Sequence, residues 1–471
     1  MVMPTRQNNA CQAGAVHYRQ QLGLFSGTML VVGGIIGAGI FLSPSVVAQR
    51  VGSAPLTLGA WALGAVIAII GGLVYGELGS RRPEAGGTYV YLREAYGTLP
   101  AFLYGWALFL IIGSGAIAAV ALTGANYIAE LSHAAPETAT PIAVVLIAGL
   151  TLINILGVQL GAVTGNVLTV LKLAAIAMLV VAAIALSPAH EPPPAVANPS
   201  ALQAPGSVSG VIGAMGAALV PVLFSFGGWQ QTNAVAEELV DARRTLPRAL
   251  ILGVLIVAAA YLMVNIAYLR ALGPEGLAAS SAPAADAMQI YLGPVGRVLI
   301  TAGIVASTVG FRAMVILMST RVYQAMAADG LFFMRVARLH PRWRTPVWAL
   351  AGQGVVSLLL LLSGTYGQLL DYVVFADWIF FGSTAASLLV LRSRDRRTGR
   401  ATTTATADAA AAASTVSVPG HPYTTLVFVA AAAYVVVGSI LSNPTNALRG
   451  VLVLVAGLPV YAYWNRQRHV N

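Results

Sequence analysis

Long apolar stretches separated by short polar segments run along the chain from Leu22 to about residue 465. An apolar stretch of about 20 residues is long enough to cross the hydrocarbon core of a bilayer as a helix. The pattern therefore predicts an all-α polytopic membrane protein with twelve transmembrane helices. We number them spans 1 to 12, and they are expected near 24–50, 55–80, 98–130, 141–160, 164–187, 209–238, 246–270, 294–326, 346–363, 367–391, 423–442 and 447–465.

The polar segments between the spans carry most of the arginines. Clusters follow spans 2, 6, 8, 10 and 12, and these places share one side of the membrane if both termini are cytoplasmic. Because cytoplasmic loops carry an excess of arginine and lysine, we predict this orientation, in a plasma or inner membrane. The net charge of +10 is then a consequence of topology, and no nucleic-acid partner is expected. With 58% hydrophobic and 9% charged residues, the composition excludes a soluble enzyme.

The same pattern divides the chain into segments. Two groups of five spans are joined by a proline-rich outer loop, and a Thr/Ala-rich linker, predicted to be disordered, precedes the last two spans. The predicted segments are a cytoplasmic tail at 1–21, spans 1–5 at 22–187, the outer loop at 188–208, spans 6–10 at 209–392, the cytoplasmic linker at 393–421, spans 11–12 at 422–465 and a cytoplasmic tail at 466–471.

Two spans contain glycine clusters that weaken a helix. Span 1 contains GGIIGAG at 33–39, and span 6 contains FSFGGWQ at 224–230. Glycine costs a helix about 1 kcal/mol relative to alanine, and unwound backbone at membrane depth is tolerated only where it is buried in protein or lines a cavity. Two such spans, five helices apart, indicate a secondary transporter with a 5+5 inverted-repeat core plus two C-terminal helices. Close helix packing through Gly33 and Gly37 is the alternative.

Unwound helices of this kind suit a zwitterion. Free N–H groups at the start of one half-helix attract a carboxylate, and free carbonyls at the end of the other attract an ammonium group. The backbone can therefore recognise the α-amino acid core, which leaves the side chains to select the substrate. No acidic residue lies within 33–39 or 224–230, which argues against a strongly cationic substrate.

The only lysine of the chain, Lys172, lies inside the apolar stretch of span 5. A lysine at the centre of a membrane helix costs about 2.5 kcal/mol or more, so such residues usually face a partner or a water-filled site. The alternative is a side chain that reaches the nearer membrane surface. Position alone leaves both interpretations open.

Several motifs point to a known family. GIIGAGIF at 34–41, ELG at 77–79 with PEAGGTY at 83–89, the glycine cluster at 224–230 and RVY at 321–323 occur in the family's order. By these motifs the chain resembles the amino acid–polyamine–organocation (APC) superfamily, closest to the L-type amino acid transporters and their bacterial relatives. The resemblance runs from residue 22 to about residue 390.

The resemblance implies a sodium-independent transporter of L-amino acids that works by alternating access, either as an exchanger or as a proton-coupled symporter. It assigns Phe224 as an aromatic outer gate and places the Lys172 ammonium where sodium-coupled relatives hold an ion. The residues implied in substrate binding are Ile35, Gly37, Ala38, Gly39, Phe224, Gly227, Trp229 and Gln230. The residues implied in the ion-site mimic are Lys172, Ser307 and Thr308.

Three positions depart from the family pattern or stand out within a span. Ala38 replaces a serine of many relatives, so a hydroxyl contact to the substrate carboxylate is missing. Arg312 of span 8 either reaches the inner vestibule or an acid such as Asp377, or selects a substrate with an acidic group. Asp377 itself is expected to order span 10 and not to bind substrate.

Other functional classes find less support. The chain has no Walker A loop, and its six histidines fall in predicted loops or termini, so neither a primary pump nor an enzyme, a metal site or a cofactor is expected. Because Cys11 is alone and N-terminal, no disulfide-linked heavy chain is expected, and the protein should be a monomer or weak homodimer among membrane lipids. A transport-like amino acid sensor and an APC permease for a polyamine or other organic amine stay open as alternatives.

Overall fold

A computed structural model describes residues 20–186, 207–363, 366–397, 417–442 and 444–470. This part of the chain is built from helices, and its single β-type pairing is an isolated bridge between Leu22 and Leu239. The α-helices are α1 Leu24–Ile35, α2 Gly39–Val51, α3 Ala54–Arg81, α4 Thr88–Tyr96, α5 Thr98–Ala107, α6 Gly113–Leu131, α7 Ala139–Ile155, α8 Val158–Ala185, α9 Val208–Ser225, α10 Ala242–Ala279, α11 Pro283–Ala328, α12 Met334–Ala337, α13 Val347–Ser363, α14 Tyr366–Arg397, α15 Tyr423–Ser442 and α16 Pro444–Val470. A π-helical segment, Leu108–Ile112, joins α5 to α6, and two 3₁₀ segments lie at Pro136–Thr138 and Trp229–Glu238.

The lengths and compositions of these helices confirm an all-α polytopic membrane protein. Within the described ranges, nine helical segments are long and apolar enough to cross a membrane, and the bent pair of α1 and α2 makes a tenth. Two shorter apolar helices, α7 and α13, lie at the places expected for spans 4 and 9. The number of twelve spans stays a prediction.

Two helices extend beyond the predicted spans. α10 and α11 meet between the end of span 7 and the start of span 8, and the sequence between residues 270 and 294 is helical apart from a short turn. Gly273 (φ 66°) and Gly293 (φ 63°) interrupt the helical backbone there. Because glycine adopts a positive φ without steric cost, and each is followed by a proline, the chain can change direction at both points and remain helical between them.

Three of the four predicted polar segments lie largely outside the described residues, which leave out 1–19, 187–206 and 398–416. The described ends of the linker are held in place. Arg394 on α14 donates hydrogen bonds to the carbonyls of Glu94 and Ala95. Val418, where the linker ends, donates its N–H to a carboxylate oxygen of Glu77 at 2.7 Å.

Packing brings the two glycine-rich spans against each other, through α2 and α9. α3 packs along α10, α8 along α11, α2 against α9, and α15 against α14. α15 and α16 are the least buried of the membrane-span candidates in the described ranges, and they present apolar side chains such as Val427, Leu452 and Val455 to the surroundings. We expect lipid to cover these faces.

Candidate functional site

The first helix break lies between α1 and α2, which are bent by 43° relative to each other. α1 ends at Ile35, and Ile36 has extended backbone angles (φ −74°, ψ 95°). α2 begins at Gly39, and Ala38 before it has no side chain that can accept a hydrogen bond from the first turn. The first N–H groups of α2 therefore lack a capping side chain, which leaves them available to an anion.

The second break lies between α9, which ends at Ser225, and the 3₁₀ segment that begins at Trp229. Gly228 has a φ of 108°, and a side chain there would collide with the carbonyl oxygen of Gly34. The two breaks therefore touch each other at a glycine. The Gly228 N–H donates to the side-chain oxygen of Gln230 at 2.9 Å, so the Gln230 amide is used inside its own break.

Tyr261 of α10 contacts both breaks through its hydroxyl group. Its buried hydroxyl lies 3.1 Å from the carbonyl oxygen of Ser225 and 3.4 Å from that of Ile35. These are the last residues of α9 and α1, whose carbonyls have no partner within a continuous helix. The sequence analysis missed this residue because a tyrosine within an apolar span carries no distinctive signal.

The Lys172 ammonium binds the first break. Its side chain is fully buried, and Nζ donates to the carbonyl oxygens of Gly33, at 3.1 Å, and of Ile36. The side chain therefore points into the protein and does not reach a membrane surface. Ser307 of α11 adds a second link, because its hydroxyl lies 3.0 Å from the carbonyl oxygen of Gly37 and 3.3 Å from that of Ile36.

Thr308 does not join this cluster. Its hydroxyl donates to the Val305 carbonyl of its own helix at 2.9 Å, and it lies against Gly124 of α6. The physical reason is the 100° rotation per residue of an α-helix, which turns neighbouring residues to different faces. Ser307 therefore faces α1, whereas Thr308 faces α6.

A cavity lies between the two breaks, α6 and α14. Six of the predicted substrate residues line it: Ile35, Gly37, Ala38, Gly39, Phe224 and Gly227. The other lining residues are Ile112, Ala116, Ala119, Val120, Leu223, Ser225, Gly228, Gln231, Phe311, Val373, Asp377, Trp378 and Phe381. The cavity wall on α6 begins at the π-helical segment, a feature frequent at functional sites.

Trp229 and Gln230, which the family resemblance places beside the side-chain pocket, are not among the lining residues. Trp229 packs edge-to-face on Tyr75, with ring centroids 4.9 Å apart, and also contacts Phe381. It therefore supports the wall from outside. Gln231, one residue further on, lines the cavity instead, because the tight 3₁₀ turn directs successive side chains to different faces.

Asp377 also lines the cavity, whereas the sequence analysis expected it only to order span 10. Its carboxylate makes no hydrogen bond or ion pair within the described residues. The inference against a cationic substrate considered only the two broken segments, and α14 brings an acid to the same cavity. An acid inside an apolar span was the available signal, but only packing could direct it toward the breaks.

Comparison with known proteins assigns the arrangement to a family. The family model described as amino acid permease matches residues 22–457. The chain belongs to the amino acid permease family. It is 29% identical to the serine/threonine exchanger SteT of Bacillus subtilis (strain 168), over 94% of this chain and 96% of that protein.

Two further relatives cover most of this permease. The large neutral amino acids transporter small subunit 2 of Homo sapiens is 30% identical, over 96% of this chain and 82% of its own length. The b(0,+)-type amino acid transporter 1 of Mus musculus is 27% identical, over 94% and 87% of the two chains. These relationships identify a transporter of amino acids and not an enzyme.

A second buried cation of this permease, Arg312, lies outside the cavity. Its Nη1 donates to the Val120 carbonyl of α6 at 2.7 Å, while Nε and Nη2 have no hydrogen-bond partner. It forms no ion pair with Asp377 or with another acid of the described ranges. The predicted pairing with Asp377 is therefore absent, and Arg312 does not line the cavity as a substrate-selecting cation would.

Several contacts join the start of α1 to the 3₁₀ segment of this permease. The N–H groups of Gln21 and Leu22 donate to the Glu238 carbonyl at 2.9 and 3.0 Å, and Val240 donates to the Leu22 carbonyl. The carboxylate of Glu238, at the end of the 3₁₀ segment, is bound by Arg321 of α11 at 2.8 Å, and both side chains are buried. The start of α1 is thereby held against the 3₁₀ segment.

Proposed function

We propose that this permease carries L-amino acids across a cell membrane by alternating access, without sodium, around the cavity between the two helix breaks. The observation that carries the proposal is the meeting of both breaks at one cavity, in a chain of the amino acid permease family. Discontinuous helices of this kind place free N–H groups and carbonyls at membrane depth.

Substrate recognition is assigned mainly to the backbone. The uncapped start of α2, at Gly37, Ala38 and Gly39, suits the substrate carboxylate, and Ala38 contributes only its N–H group. The carbonyls near Ile35 and Gly227 suit the α-ammonium group. Phe224, half-buried at the cavity, is the proposed outer gate.

Lys172 is the reason for proposing sodium independence. Carbonyl oxygens of an unwound helix are the ligands that a small cation takes in transporters of this architecture. Here an ammonium group already binds two of them, those of Gly33 and Ile36. A fixed positive charge at this place leaves no need for a sodium ion.

Alternating access requires that contacts on the α1 side open during the cycle. The bridge between Leu22 and Leu239 and the ion pair between Glu238 and Arg321 are the contacts that must separate. Because the helix is interrupted between α1 and α2, α1 can move without unfolding α2. We place this side, with both termini, in the cytoplasm, and the protein in the plasma or inner membrane as a monomer or weak homodimer.

The names of the relatives support amino acids over other amines. One is a serine/threonine exchanger, and another is a large neutral amino acids transporter subunit. We therefore infer that the site binds an amino acid. We place it between two repeats of five spans, 22–187 and 209–392. Exchange and proton symport are separate outcomes of one experiment.

The test is uptake of a radiolabelled L-amino acid panel by proteoliposomes in sodium-free buffer, with and without unlabelled amino acid inside. Uptake above that of protein-free liposomes is expected, and addition of sodium should not raise it. Dependence on internal substrate would identify an exchanger, and dependence on an inward proton gradient a symporter. Binding of amino acids without any flux would contradict transport and favour the sensor alternative.

A further inference from the structure

Two of the polar side chains that line the cavity have oxygen atoms that receive no hydrogen bond from the described residues. Of the lining hydroxyl, amide and acid side chains, Ser225 already donates to the Pro221 carbonyl at 2.8 Å and lies 2.9 Å from Ser43 Oγ. The side-chain oxygen of Gln231 is buried without a hydrogen-bond partner. The Asp377 carboxylate has no hydrogen bond or ion pair within the described residues, so two of the lining residues carry an unsatisfied acceptor, one of them an acid.

The two buried cations Lys172 and Arg312 do not neutralise Asp377. Lys172 donates to carbonyls of α1, and Arg312 donates to the Val120 carbonyl. A charged aspartate at membrane depth costs about 2.5–3.5 kcal/mol even on insertion scales, and such residues pair with an opposite charge. Because Asp377 lines the cavity, a cationic group bound there would supply the missing partner.

The geometry directs a substrate side chain toward Asp377. The carboxylate and α-ammonium groups of an amino acid are assigned to the breaks, which form one side of the cavity. The remaining walls come from α6, where Ala116 and Ala119 are small, and from α14, where Asp377 is flanked by Trp378. The side chain of a bound amino acid projects away from the breaks, and Asp377 is the acid among the residues that line the rest of the cavity.

We propose that Asp377 selects L-amino acids with a cationic side chain, by pairing its carboxylate with the side-chain ammonium group. Gln231 supplies a second acceptor for the same group. The inference rests on the proposed transport function and adds a substrate class to it. Specificity arises because a neutral side chain would leave the acid buried without a partner.

The test compares two amino acids of nearly equal shape, L-2,4-diaminobutyrate and L-norvaline, which end in an ammonium group and a methyl group. Each competes at pH 7 for uptake of the best radiolabelled substrate of the panel. In the unmodified permease, diaminobutyrate should inhibit at a concentration at least about tenfold below that of norvaline, since a buried charge pair changes affinity by this much or more.

The variant Asp377→Asn keeps the shape of the side chain and removes its charge. Inhibition by diaminobutyrate should weaken by about 30-fold or more, while that by norvaline should change by less than about threefold. The matched control is Asp241→Asn, because Asp241 is exposed and its φ of 47° suits asparagine equally well. This control should keep the ligand preference of the unmodified protein.

Several outcomes would overturn the inference. One is a preference of the unmodified permease for norvaline, and another is a preference for diaminobutyrate that survives Asp377→Asn. A third is norvaline uptake that needs an inward proton gradient and loses this need in Asp377→Asn, because the partner would then be a proton. If Asp377→Asn fails to reach the membrane, the ligand comparison in the unmodified protein still decides. Uptake of neutral amino acids alone refutes only this inference, whereas no uptake of any amino acid refutes the proposed function.

Discussion

Two fully buried cations, Lys172 and Arg312, lie on adjacent packed helices and are bonded very differently. Lys172 of α8 donates to two carbonyls of the first break, Gly33 and Ile36. Arg312 of α11 donates to one carbonyl of a continuous helix, Val120, and leaves Nε and Nη2 without partners. Neither has an acid partner within the described part of the chain. The difference lies in the helix that each one faces.

A broken helix provides what a cation needs, and a continuous helix does not. Where α1 ends, carbonyls have lost their partners within the helix and can accept from an ammonium group. In α6, the carbonyl of Val120 is also an acceptor in the regular helix pattern. The lesson is that a buried charge contributes to function through the backbone that surrounds it, and not by its burial alone.

The largest effect is expected for Lys172→Ala. It removes two hydrogen bonds from a charged donor, each contributing roughly 1.5–3 kcal/mol, so transport should fall by about 100-fold or more. Uptake in proteoliposomes measures this, with size-exclusion chromatography as the check on folding. Lys172→Arg is the matched variant, and it should not restore transport, because a planar guanidinium group does not replace a compact ammonium group. Normal uptake by either variant would contradict the role at the break.

A smaller effect is expected for Ser307→Ala. The hydroxyl links α11 to the Gly37 carbonyl at 3.0 Å, and a neutral hydrogen bond contributes about 0.5–1.5 kcal/mol. Uptake should therefore fall by roughly three- to tenfold. Thr308→Val is the control, because the neighbouring hydroxyl bonds only within α11. An equal loss in both variants would remove the distinction between the two faces of α11.

The smallest effect is expected for Arg312→Met. The side chain has one hydrogen bond and two unsatisfied nitrogens, and replacing poorly compensated buried charge by an apolar group is often neutral or stabilising. Uptake should stay within about twofold of the unmodified permease, and the melting temperature in detergent should be unchanged or higher.

Arg321→Met provides the contrast for that variant. Arg321 is equally buried on the same helix, but it binds Glu238 at 2.8 Å. Its removal leaves a buried acid alone, which costs about 3–5 kcal/mol, so the melting temperature should drop clearly. A large loss of transport in Arg312→Met, with unchanged stability, would show that Arg312 acts in the cycle.

Local sequence was sufficient to locate the spans and both breaks. Apolar length predicts a membrane helix, and clustered glycines at 33–39 and 224–230 predict where it cannot continue. The carbonyls that Lys172 binds, those of Gly33 and Ile36, belong to the first of these breaks. The kinks at Gly273 and Gly293 were not predicted, since single glycines before prolines occur in many loops.

The sequence by itself thus determined the membrane class, the family and the segments that unwind, because these depend on composition and on motifs within a few residues. Only the tertiary structure decided which neighbour of each pair faces the site: Ser307 and not Thr308, Gln231 and not Gln230. A helix turns by about 100° per residue, so a side chain's direction depends on how whole helices rotate against each other. The same packing brought Asp377 to the cavity, about 150 residues along the chain from the breaks at Gly227 and Gly228.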